Sequence, residues 1–211
     1  MPRKKNTYSF AFIGAYSLIH ESVTVAELFK KNHDWDLVGD MVMRGNMLQK
    51  VKRATVVREL REIRKRLSTL SEQELNLLVS GDLAQTKAIL LIGVAKTYLF
   101  IKDFVVEVLR NKYLSQEFML FESDYQRFID SKSVIHPELD ELTDKSKHKI
   151  RLVMLQILTQ LGLLSNKNER TITGQRLDRS VVTAIVQDDP ALLRLFLYSD
   201  NDIESMKRKH K

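Results

Sequence analysis

The stretch Thr143-Asp-Lys-Ser-Lys-His-Lys-Ile-Arg-Leu-Val-Met-Leu-Gln-Ile-Leu-Thr-Gln-Leu-Gly-Leu-Leu-Ser165 decides the fold. Thr143 is an N-cap residue and Gly162 a C-terminal stop, so the spacing predicts one long helix between them. Ile150, Val153, Met154, Ile157, Leu158 and Leu161 recur at helical spacing and form an apolar stripe. The first turns are basic: docking the stripe turns Lys145, His148, Lys149 and Arg151 outward or sideways. Upstream, Ser123 starts a helix to about Ser131, and His136-Pro137 opens a short one to Leu142, with Pro at a favoured first position. Downstream, Leu163–Ser165 and Arg170–Thr173 flank a polar segment at 166–169 and read as a small β-hairpin. Helix, short helix, long helix, hairpin is the order of a winged helix-turn-helix, whose third helix enters the major groove while the wing touches the flanking backbone. Lys167 and Arg170, in the turn, are further candidate phosphate contacts.

Working back towards the start, helices are expected over about 14–31, 34–44 with Asp34 as cap, 54–68, and 71–81, where Ser71-Glu-Gln-Glu74 has capping-box spacing. Asp82 caps the next. From Ala88 the sequence is apolar on nearly all sides, as in the central helices of a bundle. Further helices cover about 178–187 and the residues after Pro190. The expected organisation is mainly α, in two helical units. Residues 1–7 form a disordered basic tail, 8–116 an N-terminal helical domain with a helix-turn-helix-like basic unit, 117–200 a C-terminal winged-helix domain, and 201–211 a basic flexible tail.

Composition agrees. The chain has 211 residues, of which 44% are apolar, and only 7 Gly and 3 Pro, which favours helices over a turn-rich β-sandwich. With no cysteine, disulfides, Cys-ligated zinc and thiol catalysis are excluded. The charged start and the uncharged run Phe10–Ile19 mimic a signal peptide, but no small-residue cleavage site follows. The apolar run Ala88–Leu109 contains Lys96, Lys102, Asp103 and Glu107, each costing about 2.5–3.5 kcal/mol at mid-bilayer. No membrane association and a cytoplasmic protein are expected.

The net charge is +7, which biases the chain toward an anionic partner. The charge is concentrated. Between Arg44 and Arg66, nine Lys/Arg face only Glu59 and Glu62, a net +7 in one window. Pairs such as Arg58–Glu62 and Glu62–Arg66 at i,i+4 neutralise part of it. The candidate DNA-binding residues here are Lys50, Lys52, Arg53, Arg58, Arg61 and Lys65. The run Lys207–Lys211 adds only nonspecific attraction.

Catalytic signatures are missing. His20, His33, His136, His148 and His210 show no i,i+4 pair. His136-Pro-Glu138 has the H-x-E of zinc deaminases without the cysteines that complete it. His33-Asp-Trp-Asp36 reads as a loop capping the next helix, not as a metal site. No phosphate-cradling glycine loop and no G-x-S-x-G elbow occurs. Trp35 and Tyr98–Phe100 read as packing. No catalysis, metal or cofactor is expected. The partner is double-stranded DNA, with a helical protein–protein adaptor and an RNA-binding protein as alternatives; a monomer is slightly favoured.

Seven segments together resemble the BrxA family, encoded in BREX (bacteriophage exclusion) defence loci. They are Tyr8-Ser-Phe-Ala-Phe12, Glu21-Ser-Val23, Ala26-Glu-Leu28, Leu70-Ser-Glu-Gln-Glu-Leu75, Phe104-Val-Val-Glu-Val-Leu-Arg110, His136-Pro-Glu-Leu-Asp140 and Gly162-Leu-Leu-Ser165. Each is ordinary in composition; their order and joint presence over about 8–198 carry the resemblance. It implies a cytoplasmic, non-enzymatic, mostly helical antiviral component acting beside a DNA methyltransferase and ATPases, with other BREX proteins as possible partners. It carries over no catalytic residue and no DNA contact.

Overall fold

A computed structural model describes residues 7–165 and 170–209. Local capping sets most helix starts. Asp34 accepts from the Asp36 and Leu37 amides and opens α2 (Trp35–Gly45), which follows α1 (Ile19–Asn32). Ser71 and Glu74 close a reciprocal capping box on α4 (Glu72–Ser80), and Asp82 and Gln85 do the same for α5 (Leu83–Thr97). Between these, α3 (Arg53–Leu67) starts at Lys52 without a side-chain cap. Asp36 meets Arg64 and Gly39 faces Leu60, so α2 and α3 run antiparallel as a helical hairpin.

The all-apolar run is the core. Ala88–Ala95 of α5 is buried on every side. A Cβ at Gly93 would lie 3.3 Å from the Arg66 carbonyl, so the glycine lets α5 approach α3. The chain continues as α6 (Leu99–Phe104), one π-helical turn (Val105–Leu109) and α7 (Arg110–Leu114).

After it come α8 (Glu122–Ser133), a 3-10 turn (Pro137–Leu139), α9 (Asp144–Gln160), α10 (Arg179–Asp188), a 3-10 helix (Pro190–Phe196) and α11 (Asp200–Lys209). Four boundaries differ from expectation. Helix α1 starts at Ile19 and not near Gly14, and the short helix from Pro137 is a 3-10 turn that ends at Leu139 and not at Leu142. Ser123 is not the cap of α8; Asp124 reaches back to the Phe121 amide and the helix starts at Glu122. The stretch read as a flexible tail from 201 is helical to Lys209, because Ile203 packs against the core and its acidic first turn and basic last turn suit the helix dipole.

The expected hairpin wing is not formed among the described residues. They contain no strand, only isolated antiparallel bridges Leu164↔Ile172 and Met119↔Thr171. Two short apolar runs around a polar turn imitate a hairpin in sequence. Here Leu163, Leu164 and Ile172 are instead buried in the common core.

One buried cluster runs from Tyr8 to Ile203, through both 8–116 and 117–200. The segment before α1 bridges them. Tyr8 donates through its amide to Glu138 (2.6 Å) and through its hydroxyl to Asp103 (2.7 Å), with its ring stacked 3.7 Å from His136. Ser17 donates to Gln160 of α9 at 2.8 Å. Lys96 of α5 pairs at 2.7 Å with both Glu74 of α4 and Asp188 of α10.

Candidate nucleic-acid interface

Packing fixes which face of α9 meets solvent. Ile150, Val153, Met154, Ile157 and Leu158 are buried. Opposite them, Lys145, His148, Lys149 and Leu152 are exposed, and Gln156 and Thr159 half-exposed. These six positions continue at i, i+3, i+4, i+7, i+11 and i+14, a single stripe. Lys145, His148 and Lys149 make no ion pair among the described residues and sit in the first two turns. There the helix dipole adds positive potential. Sequence reasoning missed Gln156 and Thr159; extending the stripe from Lys145 by helical spacing would have found them.

Arg151 departs from expectation. It is only 9% exposed, pairs with Glu122 of α8 and lies 6.0 Å over the Tyr125 ring. It fastens α9 to α8 and does not face solvent. Burial pushes the Tyr125 hydroxyl up to about 12, partly offset by this guanidinium.

Beside the stripe, Ser165 donates to Thr171 (2.8 Å) and Thr173 to Leu163 (2.9 Å) around the single Leu164↔Ile172 bridge. Arg170 sits next to it at a left-handed φ of 42° and lines a hollow of about 250 Å³ with Leu152, Leu155, Gln156, Thr159 and Leu164. Lys167 lies outside the described residues.

The upstream basic window is largely paired. Lys50 lies 2.7 Å from Glu21 and 3.3 Å from Glu59. Its hydrogen bond to Glu21 holds the ammonium pKa above the ordinary lysine value. Burial raises the Glu21 carboxyl, but Lys50 outweighs it and leaves the group below the usual carboxylate range. The expected Arg58–Glu62 and Glu62–Arg66 pairs do not form. Glu62 is buried and takes Lys65 (2.9 Å), Arg61 (3.4 Å) and the Tyr98 hydroxyl (2.6 Å) instead. Arg44 pairs with Asp40, and Arg64 with Asp36 beside the Trp35 ring. Arg66 is 1% exposed. Arg58 donates to the Gly14 carbonyl at 2.9 Å. Lys52 and Arg53 are exposed. Four members of the window lack a carboxylate partner among the described residues: Lys52, Arg53 and Arg58, and Arg66, which is turned into the core.

The two basic regions adjoin. A cleft of about 600 Å³ has Lys50 and Glu59 on one wall, Gln156, Thr159 and Gln160 of α9 on another, and His20 and Lys87 at its edge. The structure thus brings Lys50 to the end of the α9 stripe, while Arg61 and Lys65 lie further along α3.

Nothing in the geometry suggests a metal centre: no group of three or more His, Asp or Glu converges among the described residues. His136 is buried against Tyr8 and Glu138 (3.0 Å). Asp34 caps α2, as its place in His33–Asp36 predicts. No helix of the described residues is long and apolar enough to cross a membrane.

Comparison with known proteins gives the kinship. The chain is 24% identical over 160 residues to "BREX protein BrxA" of Escherichia coli O9:H4 (strain HS), covering 76% of this chain and 75% of that one. It is 29% identical over 121 residues to "BREX protein BrxA" of Bacillus cereus (strain H3081.97), covering 57% and 60%. The crystal structure of an uncharacterized protein from Magnetospirillum magneticum superposes with a TM-score of 0.77 over 90% of this chain and 97% of that one; at 18% identity the likeness is of fold. The family profile named BrxA matches residues 6–189, and the chain belongs to the BrxA family.

Proposed function

We propose that this chain is a non-enzymatic component of a BREX phage-defence system that binds double-stranded DNA in the cytoplasm. On this reading residues 118–173 act as a winged helix-turn-helix. Its first helix is α8, its second the turn Pro137–Leu139, its recognition helix α9, and its rudimentary wing the bridged segments around Leu164 and Ile172. The relatives named as BREX proteins support the setting.

One observation carries the DNA reading: the solvent stripe of α9 bears Lys145, His148 and Lys149 without a carboxylate partner among the described residues, at the positive end of a 17-residue helix. Lys52, Arg53 and Arg58, which follow the cleft-lining Lys50 in the chain, would extend the positive surface for a duplex longer than α9 can span. Phosphate contacts dominate such an interface and make it salt-dependent, with log affinity falling by about 0.9 per neutralised phosphate for each tenfold rise in salt. Titrating one labelled duplex at two salt concentrations tests this; equal affinities at the two concentrations overturn it. The same titration with an RNA duplex of equal sequence separates the two nucleic acids.

A second reading has one observation in its favour. Phe118, Met119 and Phe121 are exposed side by side, at 44%, 42% and 57%. Exposed apolar patches of this kind serve protein partners, so the chain would also dock onto other BREX components. Co-purification with those components in nuclease-treated lysate tests that role separately.

A further inference from the structure

Five surface hollows differ in one respect. Four present carboxylates: Asp82 and Asp178 in one, Glu21 and Glu59 in another, Glu107 and Asp124 in a third, Asp178 again in the fourth. The hollow between α9 and Arg170 has none among the described residues. Its floor is apolar, from Leu155 (7% exposed) and Leu164 (3%), with Leu152 at the rim. Two polar residues that line it, Gln156 and Arg170, have no side-chain hydrogen-bond partner among the described residues. Thr159 is already engaged, donating to the Leu155 carbonyl at 2.9 Å.

These features select a ligand class. A pocket of about 250 Å³ is just below the range of roughly 300–1,000 Å³ that takes drug-sized ligands. It suits one flat ring system, not a stack. An apolar floor accepts the faces of such a ring. An amide offers a donor and an acceptor side by side, the complement of a base edge. A guanidinium pairs with phosphate, and no carboxylate among the described residues of the hollow competes for it.

We infer that this hollow holds a single unstacked nucleotide, its base over Leu155 and Leu164, its edge at Gln156 and its phosphate at Arg170. The inference rests on the duplex reading for the source of the nucleotide: α9 lays DNA along the stripe that forms one wall of the hollow. Unstacking a paired base costs free energy and is cheapest where the base is already unpaired. The chain therefore prefers duplex with an unpaired nucleotide over fully paired duplex. A free mononucleotide presents the same chemistry.

Fluorescence anisotropy with the full chain compares a duplex carrying one unpaired adenosine with its fully paired counterpart, and adenosine monophosphate is titrated separately. The expected result is a preference of about tenfold or more for the bulged duplex, which Gln156→Ala or Arg170→Ala reduces towards unity. Lys149→Ala, outside the hollow, weakens both duplexes by a similar factor and keeps the ratio. Equal affinity for the two duplexes, with no uptake of the mononucleotide, overturns the hollow and leaves the duplex reading standing. Uptake of the mononucleotide, lost in Gln156→Ala, with no binding of either duplex supports the hollow and overturns the duplex reading. Binding of none of the three overturns both.

Discussion

The Nζ of Lys50 lies 2.7 Å from Oε1 of Glu21, across the gap between the start of α3 and the first turn of α1. Lys50 has the right charge and the right neighbourhood for a phosphate contact, since it lines the cleft that α9 borders. Its ammonium is nonetheless already committed to Glu21 and Glu59, and its side chain is 25% exposed. A phosphate would have to displace two carboxylates to reach it.

Lys50→Ala therefore acts on stability. Removing it strands Glu21 and Glu59, largely desolvated, at a cost of about 1–3 kcal/mol. Urea unfolding should show a lower midpoint, while the salt dependence of DNA binding stays as in the parent. A slope shallower by about 0.9 would make Lys50 a phosphate contact after all.

On α9 the opposite pattern is expected. Lys145 and Lys149 are exposed and without ion pairs among the described residues, so replacing both with Ala should change stability by no more than about 0.5 kcal/mol. If each neutralises one phosphate, the slope of log affinity against log salt becomes shallower by about 1.8. An unchanged slope would remove α9 from the interface.

Acid should loosen the fold. The carboxyls of Glu21, Glu62 and Asp124 all lie below their ordinary values: burial raises each, but Lys50 on Glu21, the Tyr98 hydroxyl and Lys65 on Glu62, and the Phe121 amide and Arg127 on Asp124 outweigh it. The folded chain thus binds fewer protons than the unfolded chain below the unfolded carboxyl values of about 4. Stability from these groups is full above that range and is lost as pH falls through and below it. Urea midpoints at pH 7 and pH 3 should differ, and Glu62→Gln should narrow the difference. Equal midpoints would mean that these ion pairs contribute nothing net.

Helix starts were legible because capping is local. Asp34, Ser71 with Glu74, Asp82 with Gln85, Thr143 and Asp178 each bond an amide within three residues, so spacing alone finds them. The pairing of charges was not, because it depends on residues far apart in the chain. Lys50 meets Glu21 across 29 positions, and Arg151 meets Glu122 across 29. Helical spacing paired Glu62 with Arg58 and Arg66; tertiary packing gave it Tyr98, 36 residues away, and turned Arg66 inward. The family resemblance was legible for a different reason: it needed only the order of segments, not their contacts.

Arg66 is where that inward turn can be tested. Its guanidinium donates to the carbonyls of Ala15 (2.6 Å), Tyr16 (2.6 Å) and Ser17 (3.3 Å) and lies 5.3 Å over the Tyr98 ring. Those carbonyls belong to the segment that leads into α1, and Ser17 in turn holds Gln160 of α9. Arg66→Leu keeps the volume apolar but orphans the carbonyls and removes the donor 3.4 Å from the Tyr98 hydroxyl. Stranding a buried acceptor costs about 1–3 kcal/mol, so losing the two bonds at 2.6 Å costs about 2–6 kcal/mol. In a chain of this size each kcal/mol moves the melting temperature by about 2–4 °C, so a fall of roughly 4–24 °C is expected by circular dichroism. Arg66→Lys keeps the charge but cannot fork to three acceptors, and should fall between the two. If Arg66→Leu melts with the parent, the carbonyls have found water, and the segment before α1 is held by its apolar residues alone.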